Sequence, residues 1–183
     1  MTAVTVIIPS TGNELLKIAL NSLVTQTFQD FNVFIVTDEA DFEVKARAIV
    51  HMYGEYGKAK FHVIALPENV CSDGYVGHRI HGSIPFLTNS DYIVHLDEDN
   101  WFDANHIESL FRLVVDNDLE WGYSLRKIVN KEGDYLFNDD CESLGDWPIY
   151  FSENHHLVDT NCYFIKRDVA IAISPSWNIK IDA

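Results

Sequence analysis

The chain has 183 residues, 47% hydrophobic and 22% charged, proportions that fit one soluble globular domain with a full core and exclude a largely disordered chain. Against 13 Lys and Arg stand 28 Asp and Glu, a formal net charge of −15 that opposes any sequence-independent grip on nucleic acid and suits solubility or a divalent cation. Cys71, Cys141 and Cys162 are odd in number and lack C-x-x-C spacing, so free thiols in a reducing, cytoplasmic setting are expected rather than disulfides or zinc.

No apolar run approaches the roughly 20 residues that span a bilayer, and the first strand begins too early to leave room for a signal peptide. That strand is VTVII (residues 4–8), β-branched and stopped by Pro9. Leu16, Ala19, Leu20, Leu23 and Val24 then mark one helix face, and Thr11 and Glu14 have capping-box spacing. FNVFIV (31–36) is a second strand that ends in the polar step Thr37-Asp38-Glu39. A helix over about 42–52 follows, then a third strand, FHVIAL (61–66), stopped by Pro67. The turn-rich VCSDGYVGHR leads into a helix carrying Ile80, Ile84 and Leu87, which Pro85 should kink or shorten.

Residues 92–96 form the fourth strand. Asp103 is expected to cap a helix with Ile107, Leu110, Phe111, Val114 and Val115 on its apolar face. Beyond about residue 119, WGYSLRKIV and DYLF flank Lys131-Glu132-Gly133 and suggest a hairpin. Residues 138–156 read as loop, and LVDTNCYFIKRDVAIAI gives a strand and a short helix. Strands alternating with helices imply an α/β fold: a mainly parallel, Rossmann-like sheet with helices on both faces, in which ligands bind beyond the carboxyl ends of the strands. Three polar steps, at 10–13, 37–39 and 97–100, therefore fall on one rim.

The fourth strand runs YIVHLDEDNW, placing Asp97, Glu98 and Asp99 side by side. Adjacent like charges repel and need open water or a cation. In an extended segment Asp97 and Asp99 point to one side and Glu98 to the other, and such a pair of hard oxygen donors suits Mg²⁺ or Mn²⁺ completed by water and phosphates.

TVIIPSTGN, IVTDEA, GYVGHR and DYIVHLDEDNWF, in that order and each at a strand end, resemble the inverting nucleotide-sugar glycosyltransferases of family 2, GT-A fold. The resemblance covers residues 4 to about 168. It implies one GT-A domain, with residues 1–103 binding the donor and 104–183 forming a smaller acceptor-side hairpin region. By position, the DxD motif would give the metal to Asp99, with Asp97 in support and Glu98 beside it at the donor. Asp38 would accept the N3 proton of uracil, Pro9, Ser10 and Thr11 would pack on the nucleoside, and Arg79 would meet the base or the phosphates. The implied activity is metal-dependent transfer of a sugar from a UDP-linked donor to a hydroxyl of a saccharide or other acceptor, with inversion and with Mn²⁺ or Mg²⁺ as cofactor.

Complete catalytic domains of that kind run longer, so a shortened acceptor part is expected. Asp182, Asp159 and Asp146 are then the candidate bases, and a nucleotide-sugar-binding module without a base is the alternative. Trp147, His155 and His156 lie in the irregular segment facing the acceptor, where aromatic faces stack on sugar rings.

Overall fold

The computed structural model describes residues 2–53, 60–139 and 158–180. Six strands form one sheet in the order β3-β2-β1-β4-β8-β5. β1 (Val4–Pro9), β2 (Phe31–Thr37), β3 (Lys60–Ala65) and β4 (Tyr92–His95) are mutually parallel. β8 (Tyr163–Lys166) runs antiparallel to both β4 and β5 (Trp121–Tyr123), so the second half of the chain extends the same sheet. β6 (Lys127–Val129) and β7 (Tyr135–Asn138) make the separate hairpin expected around Lys131-Glu132-Gly133.

Alternation along β1 explains the layering. Val4, Val6 and Ile8 enter one core with Leu16, Leu20 and Leu23 of α1 (Leu16–Val24), Ala46 and Ile49 of α2 (Ala40–His51), and Ile107, Leu110 and Val114 of α4 (His106–Asp116). Ile7 faces the opposite core with Ile80 of α3 (His78–Ser83) and Ala170 of α5 (Arg167–Ala172). Covering both faces makes the central strands uniformly apolar, which is why they read as runs rather than alternations. Pro85 acts as expected: α3 stops at Ser83 and the chain continues as a 3₁₀ turn over Ile84–Leu87.

Two expected caps are not formed. Thr11 donates to Glu98 and Glu14 pairs with Lys17, so α1 starts at Leu16 without a side-chain cap. Asp103 bonds Lys127 Nζ at 2.6 Å, while Gln26 supplies α4's first turn instead, its Oε1 accepting from the Ile107 amide at 3.1 Å. On α4 Val115 is solvent-facing, not core.

Candidate functional site

The carboxyl ends of β1, β2 and β4 open on a cleft of about 460 Å³ lined by Pro9, Ser10, Thr11, Asp38, Asp97, Glu98 and Asp99. The three polar steps thus meet on one rim. Of the donor-side residues singled out in the sequence, Arg79 stands apart: its guanidinium lies 3.3 Å from the Tyr75 ring centroid, and it donates to Asn178 Oδ1 at 3.0 Å and to the Val70 carbonyl at 3.3 Å. Neighbouring His78 approaches the Ile179 carbonyl at 3.2 Å and packs edge-on against Trp177.

β4 ends at His95, and residues 97–100 make a turn closed by the Asn100 amide on the Asp97 carbonyl at 3.1 Å. The three acidic side chains therefore diverge rather than alternate as they would in an extended strand. Glu98 turns back to the loop after β1: Ser10 Oγ and Thr11 Oγ1 each donate to it at 2.6 Å, the Thr11 amide at 3.1 Å and the Asn13 amide at 3.3 Å. Gly12 makes that loop possible, since its φ is +72° and a Cβ there would fall 2.5 Å from Lys45 Cβ.

Asp97 is held from two sides. Asn161 donates to its Oδ2 at 2.9 Å and accepts from its amide at 2.5 Å, and His81 Nε2 stands 3.5 Å from its Oδ1. Burial pushes the Asp97 carboxyl upward, but His81 and Asn161 outweigh it and the net displacement is downward, toward the ionised form. Asp99 is exposed and moves the other way: burial and then the charges of Asp97, Glu98 and Asp159 raise it. Asp38 is buried and its Oδ2 accepts from the Cys71 amide at 2.9 Å. The Cys71 thiol beside it is pushed up to about 11 by burial and by Asp38.

On the far side of the turn lies a second hollow of about 200 Å³, bordered by Trp101, Phe102, His106, Arg126, Asp159 and Asn161. Of the three candidate bases, Asp159 borders this hollow; Asp146 and Asp182, like Cys141, Trp147, His155 and His156, lie outside the described residues. Asp159 pairs with Arg126 Nη1 and accepts from the amide and side chain of Asn161, each at 3.0 Å. Asn161 was invisible in the sequence, because it sits 64 residues from the Asp97 it holds.

His106 stacks on Phe102 with ring centroids 3.9 Å apart, and its buried Nε2 has no partner among the described residues. Burial pushes this imidazole down to about 4, with Asp103 pulling weakly the other way. An unfolded chain takes up that proton near pH 6.5, so the stability contributed by neutral His106 is present above that pH. It is lost by about 1.4 kcal/mol per pH unit as pH falls toward 4. His95, also pushed down by burial, adds in the same direction. His106→Phe, which keeps the stacked ring, is expected to lessen the drop in urea midpoint between pH 7 and pH 5; an unchanged drop would assign the acid sensitivity elsewhere.

A metal fits this rim only in part. Among the described residues no group of three or more His, Cys, Asp and Glu converges on one point. Exposed Asp99, raised by its acidic neighbours, is the oxygen donor that a cation would relieve, and water and phosphate oxygens would complete the shell.

A mainly parallel sheet covered by helices on both faces is a GT-A-like α/β architecture. The chain belongs to Glycosyl transferase family 2, whose pattern matches residues 5–166. Among solved structures it is similar to S. aureus TarS, with TM-score 0.63, 16% identity, and coverage of 100% of this chain and 30% of that one. It is also similar to TarS 1-349 in complex with UDP (TM-score 0.66, 16% identity, 100% and 50% covered) and in complex with UDP-GlcNAc (0.65, 17%, 100% and 49%). The chain thus spans half or less of those structures, and at such identities the likeness is one of fold. No curated protein sequence matches it. No helix among the described residues is long and apolar enough to cross a membrane.

Proposed function

We propose that the chain binds a UDP-linked sugar on this rim and transfers the sugar, with inversion, to a hydroxyl acceptor. The observation that carries the reading is the convergence of Asp38, the loop of Pro9, Ser10 and Thr11, and the acidic turn on one cleft. The ligands of the TarS complexes, UDP and UDP-GlcNAc, support the donor class. Residues 1–103 would hold the donor and 104–183 face the acceptor, and the cytoplasmic setting expected from the free thiols belongs to the same proposal.

Asp38 gives its free oxygen to uracil N3–H while Cys71 fixes the other. Glu98 acts at the donor through the loop it shapes. Asp99 would hold Mn²⁺ or Mg²⁺, with Asp97 adding charge beside it; the metal, when bound, neutralises the leaving diphosphate. A base then takes the acceptor proton as the hydroxyl oxygen attacks C1 from the opposite face. Asp159, near Asp99 and tied to Arg126 and Asn161, is the described candidate for that base; Asp146 and Asp182 remain the others. Arg79, engaged with Tyr75 and Asn178, is not needed for this scheme.

The test is turnover of UDP-sugars against a panel of hydroxyl acceptors. Base catalysis contributes about 10²- to 10⁴-fold, so Asp159→Asn should lower transfer by that order if Asp159 is the base. Donor binding in a chain that transfers to no acceptor favours the nucleotide-sugar-binding reading; failure to bind UDP removes both.

Base selectivity is a separate expectation. An ionised Asp38 accepts from uracil N3–H but meets only a lone pair on cytosine, a mismatch of about 1–3 kcal/mol. UDP should therefore outcompete CDP by roughly fivefold or more. Competition titrations check this, and a preference that survives in Asp38→Ala would make Asp38 a turn residue only.

A further inference from the structure

Beneath the acidic turn two histidines are packed out of solvent, His81 2% and His95 1% exposed, with their Nδ1 atoms 2.9 Å apart. Their rings meet edge to face at 4.6 Å. Trp177 closes over both, at 5.3 Å from His81 and 5.2 Å from His95. Gly82 permits that closure, because a Cβ there would fall 2.9 Å from Trp177 Cβ. The outer nitrogen of His81 stands 3.5 Å from Asp97 Oδ1, whereas the outer nitrogen of His95 is buried with no partner among the described residues.

Two facing Nδ1 atoms share one proton, and its place follows from what each choice does elsewhere. With the proton on His81, a neutral ring would turn a lone pair on the Asp97 carboxylate. A charged ring would avoid that but bury a cation. In either case His95 would carry an N–H at Nε2 that meets no acceptor among the described residues. With the proton on His95, His81 Nε2–H faces Asp97, and the unpartnered atom is a lone pair, which a protein interior tolerates better than an orphan donor. We propose that His81 is a positioning residue for Asp97: His95 Nδ1–H donates to His81 Nδ1, which fixes His81 as the tautomer whose Nε2–H faces Asp97 Oδ1. Asn161 grips the other carboxylate oxygen, so Asp97 cannot swing toward Asp99 and stays a fixed negative charge beside it. The inference rests on Asp97 belonging to the donor site; it adds His81, which none of the strand-end motifs contains, and gives a role to His95 inside the fourth of them.

Long-range ¹H–¹⁵N spectra of the labelled chain read the tautomers without any ligand. The expected result is a proton on Nδ1 of His95 and on Nε2 of His81; a proton on Nδ1 of His81 overturns the proposal. UDP affinity in Mn²⁺ supplies the second arm. His81→Leu is expected to lose about tenfold, and His81→Gln, which offers an amide N–H to Asp97, to stay within about threefold of the parent chain. Equal affinities in the two variants would reduce His81 to packing and overturn the proposal. Should His81→Leu fail to fold, His95→Leu replaces it, with a mixed His81 tautomer and a weaker affinity expected; an unchanged tautomer and affinity count against the relay. If the parent chain does not bind UDP with Mn²⁺, the donor reading falls, and the tautomers alone then decide the relay.

Discussion

Replacing Asp99 by Ala is expected to erase the dependence of UDP affinity on Mn²⁺ and to lower any sugar transfer by about a hundredfold or more. The magnitude follows from the several kcal/mol that a metal contributes to stabilising a developing diphosphate, at 1.4 kcal/mol per tenfold. Asp99 is the residue of choice because its acidic neighbours have other employment. Both oxygens of Asp97 face Asn161 and His81, and both oxygens of Glu98 are taken by the loop after β1. The exposed carboxyl of Asp99 is raised by burial and by Asp97, Glu98 and Asp159, so protons compete with the cation at a higher pH than for an ordinary carboxylate. Metal-dependent affinity should accordingly weaken as the solution is acidified. Titration calorimetry with Mn²⁺ and with chelator gives the answer, and equal UDP affinity in the two for the parent chain would sink the metal assignment.

Glu98→Ala should do damage of a different kind. Four hydrogen bonds to one carboxylate hold Ser10, Thr11 and Asn13 in place, and each such bond to a charged acceptor contributes on the order of 1.5–3 kcal/mol when buried. The site is part-exposed and the bonds are not independent, so a loss of about 2–4 kcal/mol is the reasonable total. UDP affinity should fall with it, since the loop walls the cleft. Glu98→Gln, which retains one good acceptor, should fall between. A urea midpoint within error of the parent chain would show that the loop holds its shape without Glu98.

Local signals in the sequence were read well where burial is uniform. The runs at 4–8, 31–36 and 92–96 became parallel strands because both faces of the sheet are covered there, leaving the chain little polar alternation to mislead; the run at 61–66 became the parallel edge strand, half-buried and still apolar enough to read. The strand-end positions of Asp38 and the acidic turn were legible for the same reason. What failed was side-chain partnership. Thr11 and Glu14 have the spacing of a cap, yet a carboxylate 87 residues away takes the threonine and Lys17 takes the glutamate. Asp103 likewise left its helix for Lys127. β5 was legible only as half of a hairpin, since three residues carry no sign that they will pair with a strand some forty positions later. Asn161 lies in a polar turn and His81 and His95 in a helix and a strand, and only the fold tells which carboxylate they serve.

The pairing of β5 with β8 sets a rule for how this fold can diversify. Tyr123 lies opposite Tyr163, so the chain leaves the six-stranded sheet and returns to it at neighbouring points, and the β6-β7 hairpin that falls between them is a sheet of its own. An excursion with its mouth pinned in this way can lengthen cheaply: each doubling adds only about 0.6 kcal/mol of closure entropy, and none of it is charged to the strands that carry Asp38, Asp97 and Asp99. Drift in the excursion can thus rewrite what borders the acidic turn while the parallel strands keep their register, much as a tool changes its bit without altering its grip.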